Sequence, residues 1–167
     1  MEHYSPLRYP GGKAKMAPYF KAIIKDNLLY DGVYVEPYAG GASVALSLLF
    51  NEYVSKIIIN DIDRSVYAFW HSILNRTEEF CELIETTPVN VRSWRKQWHI
   101  YRAGQKYGLL KAGFAFFFLN RTNRSGILDA GVIGGLDQTG HWKIDARYNR
   151  TALIERIQRI AKYKDRI

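Results

Sequence analysis

Cysteine is almost absent: Cys81 is the only one in 167 residues, so the chain cannot close a disulfide or build a thiolate zinc site within itself. A reducing cytoplasm fits that usage. Long apolar runs are missing as well. The first ten residues are polar and aromatic, without the apolar centre of a secretory signal, and no stretch is long enough to span a bilayer. The four histidines, His3, His71, His99 and His141, share no metal-ligand spacing. Acidic residues are in deficit, 16 against 24 Lys and Arg, which leaves a formal net charge of +8. That excess favours polyanionic partners, nucleic acid first and a membrane surface second. The deficit is sharpest between Glu85 and Asp129, where no acid occurs while Arg92, Arg95, Lys96, Arg102, Lys106, Lys111, Arg121 and Arg124 all do.

What is present suits one domain with a core, or a core plus a small inserted lobe. Ser5-Pro6-Leu7-Arg8-Tyr9-Pro10-Gly11-Gly12-Lys13 reads as an ordered loop entering a helix from about Lys15 to Leu29. Val33-Tyr34-Val35-Glu36 is a short buried strand that breaks at Pro37. Gly40-Gly41 follow, then a helix from Ala42 to Phe50. Lys56 to Asp61 is a second strand, apolar on both faces as in a parallel sheet covered by helices. Asp63 caps a helix reaching roughly Leu74. Strand, glycine turn, helix and strand make one β-α-β unit, so a ligand should collect at the strands' carboxyl ends. Helices are then expected over 77–85, 90–105 and 109–119, a hairpin between 126 and 146 around Asp137-Gln138-Thr139-Gly140, and a last helix from Thr151 to Tyr163.

Two constellations carry candidate chemistry. In the first, Glu36-Pro37-Tyr38-Ala39-Gly40-Gly41 joins a strand to a helix, and Asp61 stands at the next strand's end. The spacing from Gly40 to Asp61 is close to the roughly 20 residues that set a carboxylate on a ribose in dinucleotide folds. The loop is not G-x-G-x-x-G, and Glu36 would repel a pyrophosphate on the following helix N-terminus. A nucleoside without phosphate fits better, and S-adenosylmethionine is one whose sulfonium and ammonium a carboxylate favours. A turn glycine pair with Asp61 and Asp63 as helix caps is the alternative. Gly11-Gly12-Lys13 lacks the strand, first glycine and Ser/Thr of a P-loop.

The second constellation is the acid-free stretch. Arg95 and Arg102 share one side of a helix among Trp94, Trp98 and Tyr101, a pattern that neutralises phosphates and stacks on bases. Asn120, Arg121, Asn123 and Arg124 are the residue types that hydrogen-bond purine edges, placed at the entrance of the expected hairpin. Cys81, mid-helix with no base nearby in sequence, reads as structural.

Taken in order, these motifs resemble the D12 class of DNA adenine-N6 methyltransferases, the Dam-like family. Arg8 to Lys13 is similar to its N-terminal cofactor motif, Glu36 to Gly41 to its glycine-containing loop and Asn60-Asp61-Ile62-Asp63 to its ribose-binding motif. Phe117 to Thr122 and Arg147-Tyr148-Asn149 are similar to the start and finish of its recognition hairpin. The resemblance implies an α/β, Rossmann-like methyltransferase fold with an incomplete sheet over 1–75 and 151–167, and a mainly helical target-recognition lobe over 76–150. It implies S-adenosylmethionine as methyl donor and double-stranded DNA, not a membrane, as partner, in adenine-specific DNA methylation of the restriction-modification kind. Tyr9, Lys13, Glu36, Tyr38, Gly40 and Asp61 would then line the cofactor site, and Arg95, Asn120, Arg121, Asn123 and Arg124 would be candidates for DNA contact. The family's Asp-Pro-Pro-Tyr motif, which holds the amino group of a flipped-out adenine, is not in these 167 residues. A truncated, inactive portion is therefore expected. The rival expectation is a DNA-binding or cofactor-binding remnant, complemented by a second polypeptide that carries the missing segment. An unrelated RNA-binding protein with the same basic stretch would bind no cofactor.

Overall fold

The computed structural model describes residues 3–9 and 11–167; of Gln105 it describes the backbone alone. Pro10 of the N-terminal motif lies outside the described residues. A 3-10 turn, Lys13–Met16, leads into helix α1, Ala17–Asp26, which starts with Pro18 inside its first turn. The helix stops short of Leu29 because Leu28 and Asp31 take positive φ. Strand β1, Val33–Glu36, pairs in parallel with β2, Lys56–Ile59, in the register Val33 to Lys56 and Glu36 to Ile59. A parallel pair needs a long connection, and helix α2, Ser43–Phe50, supplies it.

Alternation along the two strands sends Tyr34, Glu36, Ile57 and Ile59 inward. The sheet is not covered on both faces as the apolar pattern suggested. Val33 and Val35 are each 54% exposed and Ile58 48% exposed on the other side, because β-branched residues record strand preference whether or not a helix covers them.

Helices α3, Arg64–Asn75, α4, Thr77–Thr86, α5, Val91–Arg102, α6, Gly108–Thr122, and α7, Arg150–Ala161, complete the chain. Their starts follow local chemistry. Asp63, Asn90 and Asn149 accept hydrogen bonds from the backbone N–H of Ser65, Ser93 and Ala152, satisfying donors that the first helical turn leaves unpaired. The buried core runs without a break from Val44 to Leu49 of α2 through Val66 to Ile73 of α3 to Phe114, Phe116, Phe117 and Phe118 of α6. Phe69 stacks on Phe117 at 5.9 Å with planes 7° apart, and Phe80 meets both edge-on.

No hairpin forms between 126 and 146. The segment makes one isolated antiparallel bridge, Asn123 with Val132, and otherwise turns. The cause is Gln138. Its amide donates to the Ile133 and Gly135 carbonyls and accepts from Ile144 N–H, so the backbone groups that two strands would pair are taken by one side chain. Lys143 tightens the turn by donating to the Gln138 and Gly140 carbonyls.

Candidate functional site

The ends of β1 and β2 are tied together. Asn60 N–H donates to the Glu36 carbonyl at 3.0 Å and Ala39 N–H to the Asn60 carbonyl at 2.9 Å, which brings the two loops beyond the strands side by side. Gly40 then adopts φ +47°, and a Cβ on it would lie 2.8 Å from the Tyr9 ring; only glycine allows that approach. Its N–H donates to Asp61 Oδ2 at 2.8 Å, and its carbonyl accepts from the Trp70 indole at 2.9 Å. Asp61 Oδ1 accepts from Asp63 N–H at 3.0 Å. Each carboxylate oxygen keeps a further lone pair, and the side chain is half-buried, so Asp61 can still receive hydroxyl donors from a ligand.

Glu36 is buried at 3% exposure. One oxygen caps α2 by accepting from Ala45 N–H at 3.2 Å, and the other faces the Lys13 ammonium at 2.7 Å. Burial and this carboxylate push the neighbouring Tyr34 hydroxyl up to about 12. Lys13 also donates to the Tyr38 carbonyl at 2.6 Å, while the Tyr38 ring stays 74% exposed. The Tyr9 hydroxyl is raised by burial and then by the charges of Asp61 and Asp63. Tyr9, Gly11, Gly12, Lys13, Tyr38, Ala39 and Gly41 to Ser43 line a cavity of about 190 Å³, and Gly40, Glu36 and Asp61 stand outside its wall.

The other sequence candidates divide. Arg95 is exposed on α5, beside Trp94 and Trp98, which stack at 5.7 Å. Arg124 is exposed and donates to the Ala130 carbonyl. Arg121 is half-buried, its guanidinium on the Arg147 carbonyl. Asn120 and Asn123 face inward. Asn120 accepts from Arg8 N–H and donates to the Arg8 and Gly126 carbonyls. Asn123 accepts from the Trp94 indole and donates to the Ile127 and Leu128 carbonyls. Asn120→Ala should therefore lower stability by about 2 kcal/mol, since its bonds are buried and their partners would be left unpaired. A urea titration checks this, because an asparagine that only touched DNA would leave the unfolding midpoint where it was.

Sequence reasoning missed Trp70, which fixes the Gly40 peptide from mid-α3, and nothing in its local sequence signals that role. Ile62, named in the Asn60–Asp63 motif but given no role of its own, is 88% exposed beside Asp61. An apolar residue between two aspartates in a strand-end loop was a readable signal. Cys81 is half-buried and burial pushes its thiol up, away from nucleophilic use. Among the described residues no group of three His, Cys, Asp or Glu side chains converges, and no helix is long and apolar enough to cross a membrane.

Fold and site together define an α/β protein with a glycine-lined cavity at the carboxyl ends of two parallel strands. The chain belongs to the D12 class of N6 adenine-specific DNA methyltransferases, whose family description matches residues 9–164. A search of curated proteins found no match to it. Its family therefore assigns it methyl transfer to adenine in DNA.

The cradle suits S-adenosylmethionine in its chemistry. A cation, Lys13, lines the cavity, and a carboxylate with lone pairs to spare, Asp61, stands at the neighbouring strand end. A volume near 190 Å³ falls below the roughly 300 Å³ at which pockets begin to enclose a whole small ligand.

Proposed function

We infer that this chain holds S-adenosylmethionine between its two strand tips and presents it to an adenine of double-stranded DNA. The observation that carries the reading is the 2.8 Å hydrogen bond from Gly40 N–H to Asp61. It ties the glycine turn that follows β1 to the carboxylate that follows β2. When bound, S-adenosylmethionine supplies an electrophilic methyl group on a sulfonium. The protein's part is positioning. Asp61 accepts from the ribose hydroxyls, Glu36 and Lys13 hold the amino and carboxyl groups, Tyr9 and Tyr38 close the sides, and Gly40 lets the ligand approach the main chain. Residues 1–75 and 151–167 act as the Rossmann-like donor domain and 76–150 as the recognition lobe. Arg95 and Arg124 offer phosphate contacts from its exposed surface.

The residues that would grip the target N6 amino group, Asp-Pro-Pro-Tyr in the family, are not among these 167, so this stretch alone should turn over little DNA. Half-exposed Val33, Val35 and Ile58 favour a second reading, in which this is a donor-binding and DNA-binding half whose sheet is completed by a second polypeptide.

Calorimetric titration of the chain tests the reading. S-adenosylmethionine should bind saturably and ATP at equal concentration should not, because a triphosphate on the α2 N-terminus would meet the buried Glu36 carboxylate. Heat from ATP alone overturns it.

A further inference from the structure

Beside the cradle lies a second, larger cavity of about 880 Å³, and Tyr9, Gly12 and Ser43 line both. Its walls come from the N-terminal segment, the starts of α1 and α2, Arg121 of α6 and Arg156 of α7. Five cationic side chains reach it, Arg8, Lys15, Lys21, Arg121 and Arg156, and among the described residues no carboxylate lines it. Such a cluster is self-repelling. Burial, and then Arg8 and Arg156, hold the Arg121 guanidinium down at about 10, and Arg8 is lowered by burial and by Arg147.

The arginines are oriented as well as concentrated. Arg8 donates one N–H to the Asn123 carbonyl, and Arg121 donates to the Arg147 carbonyl. Each guanidinium keeps further N–H groups from its set of five. The Arg156 guanidinium has no hydrogen-bond partner among the described residues. Forked donors without a counter-charge are matched by a phosphate oxyanion. Leu7, Ala14, Ala17 and Pro18 supply apolar wall between the cations, which suits the carbon face of a sugar.

We propose that this cavity seats a backbone phosphodiester of the DNA strand that carries the target adenine, with Arg121 and Arg156 as its principal donors. The identity of the strand rests on the functional reading above; the phosphate chemistry does not. A nucleotide drawn out of a duplex brings its flanking phosphates with it, and the cavity adjoins the place where the methyl donor would sit.

The test is duplex binding by the full chain, followed by fluorescence anisotropy across a salt series. Arg156→Gln should lower the slope of log affinity against log salt by about 1. Arg76→Gln, which removes a charge outside the cavity from a surface pair with Glu79, should keep the wild-type slope. A strand with single methylphosphonates placed in turn around the target adenine should bind wild type more weakly at one or two positions, and Arg156→Gln no differently at those positions. An unchanged slope with an unchanged methylphosphonate profile overturns the proposal. So does saturable binding of inorganic phosphate that duplex fails to displace, since the site would then serve a free anion. Titrating S-adenosylmethionine into the same preparations separates the two readings: intact donor binding with a slope that Arg156→Gln leaves unchanged sinks only the cavity, and lost donor binding with the slope effect intact sinks only the donor site. A wild-type chain that binds no duplex sinks both.

Discussion

Asp61→Ala should raise the dissociation constant for S-adenosylmethionine roughly 10- to 100-fold. The carboxylate holds Gly40 N–H at 2.8 Å and Asp63 N–H at 3.0 Å, so its loss frees the loop and removes the acceptor for the ribose. Hydrogen bonds to a charged group contribute about 1.5–3 kcal/mol each, and about 1.4 kcal/mol is a factor of ten. Asp61→Asn separates the two effects. Its amide oxygen can still accept from Gly40, so the loop should hold while the charge and one acceptor are lost, giving an intermediate affinity. Calorimetry on the three proteins checks the order. Equal affinity in wild type and Asp61→Ala would remove the donor site from this pocket altogether.

The second large effect is on stability and has a sign that local rules get wrong. Gly113 lies within α6, where helix propensity alone makes Gly→Ala favourable by about 1 kcal/mol. In the fold a Cβ there would stand 2.5 Å from the Ala68 carbonyl oxygen and 2.8 Å from Phe69 N. Those atoms are the backbone of α3, the helix with which α6 packs most extensively, and backbone cannot swing aside as a side chain can. Overpacking of this kind costs about 1–3 kcal/mol, at the upper end where whole helices must part and the Phe69–Phe117 stack opens with them. Gly113→Ala should therefore lower Tm, by roughly 4–10 °C for a chain of this length. A rise in Tm would mean that propensity wins and that the two helices do not approach so closely.

Much of the site was legible because its parts are local or regularly spaced. Pro37 and the glycine pair marked where β1 ends, the apolar run Lys56–Ile59 marked β2, and parallel pairing of adjacent strands was enough to bring Gly40 to Asp61. The cap Asp63 was readable for the same reason, since it acts on a backbone N–H two residues away. The candidate DNA-contacting asparagines show where that reasoning stops. Residue type suits Asn120 equally to a purine edge and to a peptide. Its actual partner, Arg8, is 112 residues distant. The hairpin between 126 and 146 failed similarly, because turn residues were visible but the competition from the Gln138 amide was not.

The sequence by itself determined the order of helices and strands, the helix starts, the basic stretch without acids and the glycine-to-carboxylate spacing, all set by forces that act within a few residues or by a strand's fixed alternation. Only the tertiary structure decided which polar side chains turn inward, which face of the sheet stays bare, and that Arg8, Arg121 and Arg156 share one cavity. Those outcomes depend on how α6 and α7 pack against the N-terminal segment, and burial, not residue type, chooses the partner of each polar group.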